Sequence, residues 1–182
     1  MMLRHSEYIA QLRTLATRHK QIQHTDAAPR FVRIVVAQDP QMRIYDMAEL
    51  VSKITGRGVK LGVGKQVLVA ESCLTDYSDN GGDNRTRVRH AAYMVLVQVP
   101  SASAHDAIEA ALDATEQTGE ELFGALEHAL ASQVKVRVVA GSLRSESIGP
   151  LGDGTWFGTR FDFDFTTPAS GALRYNPDAF LP

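Results

Sequence analysis

The sequence predicts an α+β fold: a mainly antiparallel sheet of about four to six strands, packed by an N-terminal helix and one long helix. Three observations carry this. Residues 103–131 repeat at helical spacing over their whole length. Residues 91–99 (AAYMVLVQV) are apolar on both faces of a strand, as a central strand covered on two sides would be. Residues 156–165 (WFGTRFDFDF) alternate, with Phe157, Phe161, Phe163 and Phe165 on one face and Trp156, Arg160, Asp162 and Asp164 on the other.

In chain order, residues 4–22 place Tyr8, Leu12, Leu15, His19 and Ile22 at spacings of three and four, a first amphipathic helix. The chain leaves it before Pro29, and residues 31–37 (FVRIVVA) are β-branched enough for a strand. Residues 45–54 suit a short helix. The segment GRGVKLGVGKQ that follows resembles a phosphate loop only superficially. Five residues separate Gly58 from Gly64-Lys65 where the Walker loop has four, and Gln66 stands where Mg²⁺ needs Ser or Thr. It is read as a connector into a strand at 66–72. Residues 75–87 (TDYSDNGGDNRTR) are read as a solvated loop, lacking the alternating ligands of a calcium site.

The long helix has three faces. With Ile108 at zero and about 100° per residue, Leu112, Leu122, Phe123, Leu126 and Leu130 lie within about 60° and form the core face. Asp106, Glu109, Asp113, Glu116, Glu120 and Glu127 share a stripe between about 80° and 160°. Ala107, Ala111, Ala114, Thr118, Ala125 and Ala129 make a third face of small residues, suited to a neighbouring molecule or to the first helix. Ser103 with Asp106 suggests a capping box. Gly119 on the core face implies either close approach of a strand or a break in the helix. After it, residues 134–140 (VKVRVVA) read as a half-buried strand and 141–155 as a loop. One domain at 1–167 and an extended C-terminal arm at 168–182, carrying Tyr175 and Phe180, complete the layout.

The formal charge of -2 hides a polarity. Residues 1–100 hold 14 Lys+Arg against 9 Asp+Glu, whereas residues 101–182 hold 5 against 12. Arg85, Arg87 and Arg89 alternate, so a strand presents all three on one face, ready for a phosphate backbone, an acidic protein surface or plain solvent. The single Cys73 excludes a disulfide framework and a multi-cysteine metal site. The six histidines show no metal-ligand spacing, and Ser142 sits in no nucleophile elbow. His24 and His90 read as structural hydrogen-bonding groups. No catalytic residue, metal or cofactor is expected, nor a membrane span or signal peptide, which implies a soluble cytoplasmic product.

The segments DNRTRVRHAAYMVLV (83–97), the long helix, GTWFGTRFDFDF (154–165) and RYNPDAF (174–180) are together similar in layout to the tail-terminator and neck-completion proteins of phages and related contractile particles. The resemblance implies a ring-forming homo-oligomer, usually six-fold, assembled in the cytoplasm, incorporated into a virion or phage-like particle, and seated on tail-tube or neck proteins. DNA would pass at most through the lumen. The acidic stripe (Asp106, Glu109, Asp113, Glu116, Glu120) would then line the lumen, or receive Arg85, Arg87 and Arg89 of a neighbour, with Tyr175 and Phe180 as further contacts. A nucleic-acid-binding accessory protein using the three arginines, and a small enzyme with a pocket assembled by the fold, are the alternatives. A buried cluster of titratable groups would favour the enzyme.

Overall fold

A strand that is apolar on both faces must lie between two layers, and the chain is built around one that does. The computed structural model describes residues 4–35, 49–50, 52, 64–79, 81, 84–133 and 135–179. Helix α1 (His5–Arg18) leads into β1 (Phe31–Ile34), β2 (Gln66–Glu71), β3 (Leu74–Asp79) and the long β4 (Arg85–Gln98). Helix α2 (His105–Ala131) then precedes β5 (Arg137–Val138), β6 (Arg144–Leu151) and β7 (Trp156–Pro168), and a 3-10 turn lies at Pro177–Ala179.

Among the described residues the sheet has seven strands in the order β1-β2-β4-β7-β5, with β3 also on β4 and β6 also on β7. Every pairing is antiparallel except β1 with β2. The α+β class is as expected. The strand count exceeds the expectation because both neighbours of the central pair are interrupted: β2 and β3 share β4, and β5 and β6 share β7.

One face of the sheet carries Leu68, Ala70, Ala91, Tyr93, Val95, Phe161, Phe163 and Phe165, packed under Tyr8, Leu12, Leu122, Leu126 and Leu130 of the two helices. Tyr93 stacks on Phe161 at 5.3 Å and Phe123 meets Phe163 edge-on at 5.3 Å, geometries that add to simple burial. The opposite face carries Val32, Val67, Val69, Met94, Leu96 and Trp156 around Leu50. Glu49, Leu50 and Ser52 are helical; the rest of the short helix expected at 45–54 lies outside the described residues, as does most of the glycine-rich segment.

Helix α2 sits closer to the sheet than its large residues alone would allow. Ala111, Thr115, Thr118 and Gly119 are buried beside Leu122, Leu126 and Leu130, whereas Ile108 and Leu112 are only half-buried. The contact face is therefore turned toward the small residues, and the separate third face is divided: Ala111 and Thr118 go under the helix, while Ala114 and Ala125 stay exposed. Gly119 explains the close approach. A Cβ there would lie 1.9 Å from Cε2 of Phe161, and the carbonyl it leaves accessible accepts a 2.8 Å hydrogen bond from the Tyr93 hydroxyl. The helix continues through this point unbroken. Its N-cap is Ala104 with no side-chain hydrogen bond, and Ser103 instead bonds to Ser101, so the expected capping box is absent.

Other local expectations also change. Of the strand expected at 134–140, Arg137 and Val138 pair with β7; Lys135 takes a positive φ of 78° and breaks the run, and Val134 lies outside the described residues. The expected loops at 75–87 and 141–155 contain β3 and β6. Both are exposed strands whose pairing is carried by main-chain hydrogen bonds, so neither has an apolar alternation to betray it.

Candidate interaction surfaces

The six-acid stripe is where helical geometry put it. Asp106, Glu109, Asp113, Glu116, Glu120 and Glu127 are all exposed, and among the described residues none of them has an ion-pair partner. The helix carboxylate that does pair lies off the stripe: Glu121 meets His19, just after α1, at 2.9 Å.

The three arginines share a face of β4, as alternation requires, but only Arg85 is exposed. Its Nε bonds Asp79 Oδ2 at 2.9 Å across the β3–β4 pair. Arg87 and Arg89 are 8% and 7% exposed, a correction to the picture of three solvated strand-end cations. The reason is register. Tyr77 of β3 and Thr167 of β7 stand directly opposite Arg87, and the Arg87 guanidinium lies 5.3 Å from the Tyr77 ring centroid. Arg89 is flanked in the same way by Thr75 and Phe165, and its guanidinium favours the thiolate of Cys73. Burial raises that thiol to about 11 although the guanidinium works against the rise, so Cys73 is an inert thiol. The cation beside it comes from β4, which sequence proximity alone did not reveal.

The start of the stripe and the arginines are held apart. Helix α2 runs back along the sheet from the Gln98 end of β4: the Gln66 side chain reaches the Ala114 carbonyl, Tyr93 reaches Gly119, and Phe163 meets Phe123. Asp106 thus lies at the end of the sheet remote from Arg85, Arg87 and Arg89.

The opposite face of the sheet holds a polar cluster. Arg160 bonds Glu71 at 2.8 Å, contacts Glu146 at 3.5 Å and also bonds Asp162. Nearby, His90 bridges Asp164 at 2.7 Å and Asp76 at 3.1 Å. Of these, His90, Glu146, Arg160, Asp162 and Asp164 border a depression of about 600 Å³ that Ser142 also lines. Burial pushes the Asp162 carboxyl up even though Arg160 pulls it down. For His90, burial works against the proton, but the bonds to Asp164 and Asp76 outweigh it and raise the pKa. The cluster is an ion-pair network without a nucleophile: the Ser142 hydroxyl donates to the Val139 carbonyl and accepts from the Asp164 N–H. Alternation marked Arg160, Asp162 and Asp164 as one face, but Glu71, His90, Asp76 and Glu146 come from four other strands and required the register.

His24 is structural as expected, accepting the Arg30 N–H at 3.1 Å on Nδ1. In the C-terminal arm, Ala169 is buried and bonds the Arg85 carbonyl. Residues 171–179 are exposed, with Tyr175 at 75%; Phe180 lies outside the described residues. Among the described residues no group of three or more His, Cys, Asp or Glu is placed to hold a metal, and no helix is long and apolar enough to cross a membrane. The chain matches no known family model and no curated protein sequence.

Proposed function

We propose that this chain is an assembly protein that closes into a homo-oligomeric ring, of the tail-terminator or neck type, in a phage tail or related contractile particle. One observation carries the reading: a 27-residue helix buries one side on the sheet and keeps six unpaired carboxylates in water along another. Uncompensated like charge of that extent destabilises a lone molecule through self-repulsion, and it is useful where a surface must stay clear of DNA. The two outer borders of the described sheet, β1 with β3 on one side and β5 with β6 on the other, are unlike each other. Unlike surfaces make heterologous contacts, which close into rings.

Because Arg87 and Arg89 are buried, the support falls on the version in which the stripe lines a lumen. The nucleic-acid alternative loses two of the three cations it relied on. The reading is tested by mass measurement in solution together with imaging of the particles. A ring is expected for the wild-type chain, and the double reversal Asp113→Lys, Glu116→Lys is expected to disturb assembly and leave tails defective. A chain that stays monomeric at every concentration, or a reversal that changes neither oligomer nor tails, overturns the proposal.

A further inference from the structure

We propose that Arg87 and Arg89 form a binding site for a small phosphate-class oxyanion on their shared face of β4. Both residues are more than nine-tenths buried. Each Nε is sealed from solvent with no hydrogen-bond partner, and so is the hydroxyl of Thr167 directly opposite Arg87. Among the described residues neither arginine pairs with a carboxylate. Asp79, the acid on the same face, is taken by Arg85 and by the Gly81 N–H. Glu7, near the start of α1, is engaged by the Arg4 N–H at 2.6 Å.

Burying an uncompensated guanidinium costs several kcal/mol unless a counter-charge meets it. The groups that favour the charge of Arg89 are the Cys73 thiol and the Tyr77 phenol, and burial and Arg87 oppose it. Further positive potential acts around Arg89. The imidazole of His5, the first residue of α1, is held below its usual pKa by burial, then by Arg89 and Arg33, and a helix N-terminus adds its own positive end. The forked donors of two arginines and a hydroxyl suit the several acceptor oxygens of a tetrahedral anion. The 7–8% of each residue that stays accessible leaves no face broad enough for a duplex. The site stands whether or not the chain forms rings.

The test titrates the full chain with inorganic phosphate against chloride at equal ionic strength. Expected are saturable shifts of the Arg87 and Arg89 Nε–Hε NMR signals and a rise in the His5 imidazole pKa. At about one hundred times Kd the melting midpoint should rise by about 5 °C. Arg89→Met removes a buried charge and should fold while losing the phosphate response; Arg89→Lys, which keeps the charge but not the fork, should weaken binding about tenfold. Signals unmoved up to about 20 mM phosphate, an affinity too weak to matter in a cell, overturn the proposal. So do a chloride response equal to that of phosphate, an undiminished response in Arg89→Met, or binding of a short DNA duplex without binding of phosphate.

Discussion

Arg160, half-buried, and Arg89, buried, lie on opposite faces of the same sheet, and the protein treats them differently. Arg160 stands among Glu71, Glu146 and Asp162, while Arg89 has a thiol and, among the described residues, no carboxylate. A guanidinium supplied with its own acids is part of the scaffold. A guanidinium left without them is free to take an anion from outside.

The same substitution at the two positions separates these roles most sharply. Arg160→Met strands Glu71, whose side chain is 5% exposed, together with Asp162. Breaking a buried pair in this way costs about 3–5 kcal/mol, which denaturant unfolding should show as a lower midpoint with an unchanged slope. Arg89→Met removes an uncompensated charge and strands no acid. It is expected to change stability by less than about 1 kcal/mol, and toward stabilisation, in phosphate-free buffer. Equal losses for the two variants would erase the distinction.

Between these extremes lies the packing of the helix-covered face itself. Gly119→Ala drives a methyl into the Phe161 ring, so the ring and helix must separate, and overpacking of this kind costs about 1–3 kcal/mol. Gly124→Ala is the control, since a Cβ there meets nothing within 4 Å. In the same unfolding experiment it should stabilise by about 0.5–1 kcal/mol through helix propensity alone. A Gly119→Ala variant as stable as Gly124→Ala would show that the helix can rise off the sheet freely.

What the sequence disclosed follows the same division. Periodicity is a local property, so α2, β4, the alternating faces of β7 and the close approach at Gly119 could all be read from neighbouring residues. Edge strands such as β3 and β6 are held by main-chain bonds and wet on both sides, which leaves no pattern to read. The arginines show the boundary clearly. Their shared face follows from a spacing of two, but their burial depends on Tyr77, Thr167, Cys73 and the start of α1, which only the register brings together. The stripe acids could be placed because exposure is the default for a charged side chain that nothing covers.

The smallest expected effect concerns His90, which belongs to the compensated face. Its folded pKa is raised through Asp164 and Asp76, so it contributes stability that is fully present below the unfolded value of about 6.5 and is lost as pH climbs through the higher folded value. His5 and His24 are shifted the opposite way, each mainly by burial, and partly mask this in the total profile. The difference between wild type and His90→Gln isolates it. With the His90 side chain 39% exposed, the contribution is expected to stay below about 1 kcal/mol. The wild-type advantage should be larger at about pH 5.5 than at about pH 8.5, as measured by denaturant midpoints at the two values. An advantage that is flat with pH would mean that Asp164 and Asp76 hold the neutral ring as well as the charged one, and that this face owes its order to Arg160 alone.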